Sequence, residues 1–167
     1  MAGSRLLLQS TWQRRGGTRV LRMASHETPI RVRFCETDMN RHVSQVSYFI
    51  YFEEARTRYI ETFGISWTEG PFNMVLVRQW ADYLKPAHFP DELVVLTDII
   101  SVGRSSIRMA HRVVPAGAPP GTDVMCQGES VMVLVTKDQS ASVPWPSELR
   151  ARLAAKADPT LAVPARA

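Results

Sequence analysis

Residues 48–52, Tyr-Phe-Ile-Tyr-Phe, open a segment in which Tyr48, Phe52, Ala55 and Tyr59 recur three or four positions apart. That period is helical, and a helix that is apolar all the way round at its start must be buried on more than one side. The segment is predicted to run over residues 48–63, beginning its turn into helix from about Ser44, with Gly64 as its C-cap. Glu54 and Arg58, four apart, mark an outer face with a pair worth a few tenths of a kcal/mol. The rest of the chain has to supply what surrounds this helix.

Its period changes to that of strands. Ahead of the helix, Ile30, Val32 and Phe34 alternate with polar residues. After a loop over residues 64–73, strands are predicted at 74–84 and at the β-branched run 93–100, with a turn around Pro86 and Pro90 between them. Gly103 marks a hairpin, beyond which Ile107, Met109, His111 and Val113 alternate with Arg108, Ala110 and Arg112. Residues 124–136 form the last strand, with Gly128 as a bulge or a close approach of backbones, and a short helix follows Pro146. One strand, one helix and four further strands predict an α+β fold, an antiparallel five-stranded sheet wrapped around one long central helix. Such a layer leaves a helix flank and a sheet edge unburied, so a homodimer or homotetramer is expected.

The 167 residues suffice for one domain. Residues 1–26 read as an extension, either a targeting peptide or disordered chain, because they carry arginine, serine and threonine and no acid. Residues 27–157 form the domain and 158–167 a flexible tail. The basic balance belongs to the extension. Arg5, Arg14, Arg15, Arg19 and Arg22 all precede Glu27, and without them 15 basic residues face 16 acidic ones. The domain therefore has the charge of neither a nucleic-acid binder nor a membrane-attracted protein. Apolar runs such as residues 131–135 fall far short of the roughly 18 needed to span a bilayer. Cys35 and Cys126 read as two buried thiols in a reducing compartment. The expected compartment is cytoplasmic, or mitochondrial if the extension is a targeting peptide.

Between the first strand and the helix lies a polar turn holding Glu36, Asp38, Asn40 and His42. An acid there sits close to the free N–H groups of a helix N-terminus, which favour negative charge. The pairing suits acyl transfer: Asp38 as nucleophile or general base, and helix N–H groups for the oxyanion of a tetrahedral intermediate. Asp38 is equally well placed to cap a helix or form a turn. His42 is either an acid/base or a packing residue. Glu54 is a second carboxylate or the partner of Arg58. Tyr48, Tyr51 and Phe52 read as core and as pocket wall, and His111 as a satisfied core or interface histidine. Arg104 in the Gly-Arg-Ser-Ser turn either meets phosphates or is solvated.

Several ordered pieces carry a resemblance. They are Glu36-Thr37-Asp38, Arg41-His42-Val43-Ser44-Gln45, Tyr48, Phe52-Glu53-Glu54-Ala55-Arg56, Asp82-Tyr83-Leu84-Lys85-Pro86, Phe89-Pro90-Asp91-Glu92-Leu93 and Gly103-Arg104-Ser105-Ser106. Over residues 28–150 the chain resembles the hotdog-fold acyl-CoA thioesterases of the 4-hydroxybenzoyl-CoA thioesterase-like superfamily. The resemblance implies hydrolysis of an acyl-CoA thioester, with Asp38 on the family's catalytic aspartate and the Gln45 backbone N–H as oxyanion donor. The residues expected to contact substrate are His42, Tyr48, Tyr51, Phe52 and Arg104. It implies no metal and no organic cofactor, coenzyme A being part of the substrate. The chain departs from the family pattern with Arg41 for glycine and Ser44-Gln45 for Asn-Asn. The arginine bears on the turn, because Arg tolerates positive φ poorly. Two rival readings are an acyl-ligand-binding hotdog protein without catalysis and an enoyl-CoA hydratase. The hydratases carry Asp-x-Asn-Pro-x-His, whereas here the proline is absent and His42 follows Asp38 by four residues.

Overall fold

In the computed structural model the chain runs β1 (Thr11–Arg15), β2 (Thr18–Arg22), β3 (His26–Arg31), α1 (Gln45–Glu61), β4 (Phe72–Tyr83), β5 (Glu92–Val102), β6 (Ser106–Pro115), β7 (Cys126–Thr136) and α2 (Ser147–Ala154). The structure describes the backbone at residues 11–15 and 18–22, and residues 25–66, 69–119 and 121–164 in full. Strands β3 to β7 form one five-stranded antiparallel sheet in the order β3-β5-β6-β7-β4. Strands β1 and β2, inside the expected extension, pair antiparallel as a two-stranded sheet. The rest of that extension through residue 24, residues 1–10, 16–17 and 23–24, lies outside the described residues.

Helix α1 is 17 residues long and starts at Gln45, three residues before the apolar run. Ser44 sets the start: it has extended backbone angles, and its Oγ accepts from the Val46 N–H at 3.3 Å. Gly64, with φ +80°, lies just past the helix end. The face of α1 that meets the sheet carries Tyr48, Tyr51, Phe52, Ala55 and Ile60, all buried. Phe52 stacks on the His111 ring of β6 with centroids 4.7 Å apart. The helix comes down on Gly128 of β7. A methyl group there would sit inside the contact radius of the Trp80 carbonyl oxygen and 3.0 Å from the Phe52 ring. Of the two expectations for Gly128, the close approach is the one observed.

Several expectations need correction. The apolar run is not buried all round within the protomer: Phe49 is 38% and Ile50 51% exposed, because one sheet covers one side of one helix. Phe34 does not end a strand. It opens the 3-10 turn Phe34–Glu36 and is 76% exposed. Cys35, in the same turn, is exposed, while Cys126 is buried and its thiol is pushed up to about 12 by burial and, secondarily, by Asp82. Ala110 is as buried as the core positions flanking it, for a reason found at the C-terminus. Within the expected tail the described residues include the 3-10 turn Pro159–Leu161, started by Asp158, whose carboxylate accepts from Thr160 N–H at 2.9 Å. It straps the outer face of the sheet. Arg112 donates to the Leu161 carbonyl at 2.7 Å, the Val163 N–H donates to Glu129 at 2.8 Å, and Val163 packs with Ile100 and Ala110.

Strands β3 and β4 are the sheet edges. The β4 edge exposes Leu76 and Val77, an unpaired apolar margin of the kind that invites another chain. Among the described residues no helix is long and apolar enough to cross a membrane.

Candidate active site

The loop between β3 and α1 leaves and re-enters the fold at one point. The Glu36 carbonyl accepts from both the Ser44 N–H and the Ser47 hydroxyl, each at 2.9 Å. Inside it Thr37 and Val43 form a bridge, the Asp38 N–H donates to the His42 carbonyl at 2.8 Å, and the Arg41 N–H donates to the Asp38 carbonyl at 3.0 Å. This tight turn puts Arg41 at φ +64°, so arginine occupies the left-handed conformation that glycine would take without strain. The turn forms despite the substitution. For a non-glycine residue that conformation costs about 1–2 kcal/mol, and glycine's extra freedom in the unfolded chain returns about 0.4–1 kcal/mol of the difference. Arg41→Gly is therefore expected to stabilise the fold by up to about 1 kcal/mol in urea titration, and Arg41→Val to destabilise it, since a β-branched residue is a worse fit still.

Asp38 projects from this turn and is exposed. Its Oδ1 accepts from the N–H groups of Asn40 at 2.8 Å and His42 at 3.2 Å, while Oδ2 has no hydrogen-bond partner among the described residues. One oxygen thus fixes the carboxylate and the other is left for chemistry. The turn-forming role weighed for Asp38 is real, and it does not consume the group. Further along the chain, Gln45 is the first residue of α1 and its N–H finds no acceptor among the described residues.

The other candidates separate. His42 is half-buried, and its ring packs edge-on against His88 at 5.1 Å across a backbone bridge. His88 in turn lies beside Asp91, with Nδ1 to Oδ2 at 4.0 Å. Tyr51 is buried except where it lines a cleft of about 390 Å³ shared with Arg31, Arg33, Phe34, Glu36, Ile50 and Phe89. Its hydroxyl donates to Glu36 Oε2 at 2.8 Å, and burial, then that bond, pushes its acidity well below that of a free phenol. Tyr48 packs on Tyr51 and Tyr83 in the core, its phenol likewise held neutral by burial. Phe52 is wholly in the core, so neither Tyr48 nor Phe52 lines the cleft. Glu54 borders the cleft but is paired with Arg58 at 2.6 Å.

Within the protomer Arg104 stands apart. Strand β5 runs from Glu92, beside the His88–Asp91 loop, toward the turn holding Arg104, and its 11 residues, at a rise of about 3.3 Å per step, separate its ends by roughly 33 Å. His111 is a satisfied core histidine. Its ring nitrogens lie 3.2 Å from Thr97 Oγ1 and 2.8 Å from Ser130 Oγ, and its pKa is pushed down to about 3 by burial and, secondarily, by Arg56 and Arg112. Sequence reasoning left Phe34, Phe89 and His88 out of the site. The alternation through Phe34 disguised it as a core residue, and nothing in sequence spacing brings residues 88–89 against residues 34–42. Among the described residues no three His, Cys, Asp or Glu side chains are grouped to hold a metal ion.

The model of a family described as the thioesterase-like superfamily matches residues 32–153. Among curated proteins, YsmA of Bacillus subtilis (strain 168) is 32% identical over 119 residues, covering 71% of this chain and 78% of that protein. The crystal structure of the PA5185 protein from Pseudomonas aeruginosa is similar with a TM-score of 0.73 and 29% identity, over 81% of this chain and 93% of that one. A thioesterase from Thermus thermophilus, solved with coenzyme A and Zn, is similar with a TM-score of 0.66 and 31% identity, over 76% of this chain and 95% of that one.

Proposed function

Since the chain belongs to the thioesterase-like superfamily, we propose that it hydrolyses acyl-CoA thioesters to a free acid and coenzyme A, with Asp38 as the reacting carboxylate. The observation that carries this is the state of Asp38: one oxygen anchored by two backbone N–H groups, the other open, in a loop that ends at the unpaired N–H of Gln45. Asp38 Oδ2 either attacks the thioester carbonyl or takes a proton from the attacking water. The carbonyl oxygen becomes an oxyanion facing the Gln45 N–H, the C–S bond breaks and the thiolate of coenzyme A departs; on the nucleophilic route water then cleaves the acyl–Asp38 anhydride, releasing the free acid and restoring the carboxylate. Neither step draws on a metal or an organic cofactor. A backbone donor is indifferent to the Ser44-Gln45 departure, and the Arg41 turn still closes, so both departures are compatible with activity.

Asp38 is open to water, and the exposed apolar residues nearest it in the chain, Phe34, Met39 and Val46, call for a cover. Substrate supplies part of it, and a second copy of the chain supplies the rest, seated on Phe49 and Ile50 of α1 and on the β4 edge at Leu76 and Val77. Light scattering is expected to give a homodimer or homotetramer with no monomer at micromolar concentration. A stable monomer would remove that part of the proposal. The activity itself is tested by thiol release from a panel of acyl-CoAs differing in chain length and aromaticity. Release from at least one member supports hydrolysis. Silence across the panel with retained ligand binding moves the protein to a binding role, and loss of enoyl absorbance from a 2-enoyl-CoA without thiol release moves it to hydration.

A further inference from the structure

The loop that carries Asp38 is fastened at its base by one residue that the proposed chemistry leaves unassigned. Glu36 Oε2 accepts from the Arg33 N–H at 2.7 Å and from the Tyr51 hydroxyl at 2.8 Å, with the Arg33 guanidinium 3.6 Å from Oε1. Its backbone carbonyl takes the Ser44 N–H and the Ser47 hydroxyl. One residue therefore joins the exit of β3, the start of the Asp38 loop, the N-cap of α1 and the second turn of α1. The side chain is 10% exposed, so these bonds face little competition from water.

We infer that Glu36 is the positioning residue of this site: it sets the spacing between the Asp38 carboxylate and the Gln45 N–H. The inference rests on the reading of Asp38 as the reacting carboxylate. The two reacting groups sit on either side of the junction that Glu36 ties, Asp38 two residues after it and Gln45 next to the Ser44 that it holds. Both must address one carbonyl at the same time, the first at carbon and the second at oxygen. The anchors inside the loop, from Asn40 and His42 to Asp38, fix the carboxylate relative to the loop only. The bonds that fix the loop relative to the helix pass through Glu36, through the neighbouring Thr37–Val43 bridge and through Val43 N–H to the Ala87 carbonyl at 2.7 Å. Of these, the carboxylate bonds are the ones a side-chain substitution removes. Glu36 is not itself suited to react, since Oε2 holds two donors and Oε1 faces a cation.

The test measures acyl-CoA hydrolysis and thermal unfolding in Glu36→Ala, Glu36→Gln, Tyr51→Phe, Asp38→Asn and the Glu36→Ala/Asp38→Asn double variant of the full chain. A displacement of about 1 Å costs on the order of 10² in rate, so Glu36→Ala is expected to lower kcat at least about tenfold with KM changed less than about threefold. Glu36→Gln keeps an amide oxygen for both donors and is expected to recover kcat to within about threefold of wild type. Tyr51→Phe removes one donor and keeps the fold, which preserves the test if Glu36→Ala unfolds; its kcat is expected to fall about threefold or more. The discriminating result is the double variant. If Glu36 acts through Asp38, Glu36→Ala adds less than about a twofold loss on top of Asp38→Asn, the non-additivity of groups working as one unit. Wild-type kcat in folded Glu36→Ala and in Tyr51→Phe overturns the inference, and so does a full multiplicative loss in the double variant. Fully active Asp38→Asn overturns the Asp38 reading and takes this role of Glu36 with it. Inactive Asp38→Asn with a multiplicative double variant removes Glu36 alone.

Discussion

Asp38→Asn is expected to reduce turnover at least about 10²-fold, the lower end of what a positioned acid or base contributes, while leaving thermal unfolding nearly unchanged. The substitution is clean because asparagine keeps the side-chain oxygen that accepts from the Asn40 and His42 N–H groups. Charge and basicity go; the turn stays. Were Asp38 only a turn former, the pattern would invert: Asp38→Asn silent in both assays, and Asp38→Ala costing about 1 kcal/mol of stability. Gln45→Ala is the companion control, since a backbone donor survives loss of its side chain with a modest effect. Wild-type hydrolysis by purified Asp38→Asn, with contaminating thioesterase excluded, would falsify the mechanism.

The largest expected effect on stability belongs to Gly128. Its added methyl would meet the Trp80 carbonyl oxygen, a backbone atom held in the β4–β7 ladder, and the buried Phe52 ring. A flexible side chain would give way at small cost; a paired strand cannot. Overpacking commonly costs about 1–3 kcal/mol, and with backbone as the obstacle Gly128→Ala is expected at or beyond about 3 kcal/mol. At roughly 3 °C per kcal/mol for a domain near this size, the melting temperature should fall by about 10 °C. An unchanged melting temperature would contradict the packing of α1 and β4 across β7 described above.

Much of this architecture is legible in the chain itself. The change of period after Gly64 separates helix from strands, and the alternation at Ile107, Met109, His111 and Val113 does predict a buried face. What alternation cannot show is where a strand stops. Phe34 keeps the pattern of Ile30 and Val32, yet the carboxylate of Glu36 takes the N–H of Arg33 and turns the chain out into solvent. A side-chain bond to backbone outranked a hydrophobic pattern there. Cys35 follows Phe34 outward for the same reason. The strap was illegible because Ala162 and Val163 are small and sparse, and their cover depends on polar anchors on distant strands. Of the proposed site, the strand–turn–helix order points to Asp38 and to a backbone N–H at the helix start, the choice of Gln45 comes only from the resemblance, and Tyr51 is pointed to by its ring on the helix. The separation of Arg104 from Asp38 within the protomer depends on the direction of β5, which spacing alone does not reveal.

The strap also has a consequence for the order of events during synthesis. Its anchors come from three strands: Asp158 N–H donates to the Ile99 carbonyl of β5, Arg112 of β6 reaches Leu161, and Glu129 of β7 takes the Val163 N–H. None of these exists as a docking surface until β5, β6 and β7 have assembled, and residues 158–163 leave the ribosome after all of them. The outer face of the sheet is therefore locked after β5, β6 and β7 have paired, by a segment translated after all three. A chain ending before residue 158, once released, would keep Glu129 paired with Arg108 but leave its carboxylate open to water on the other side.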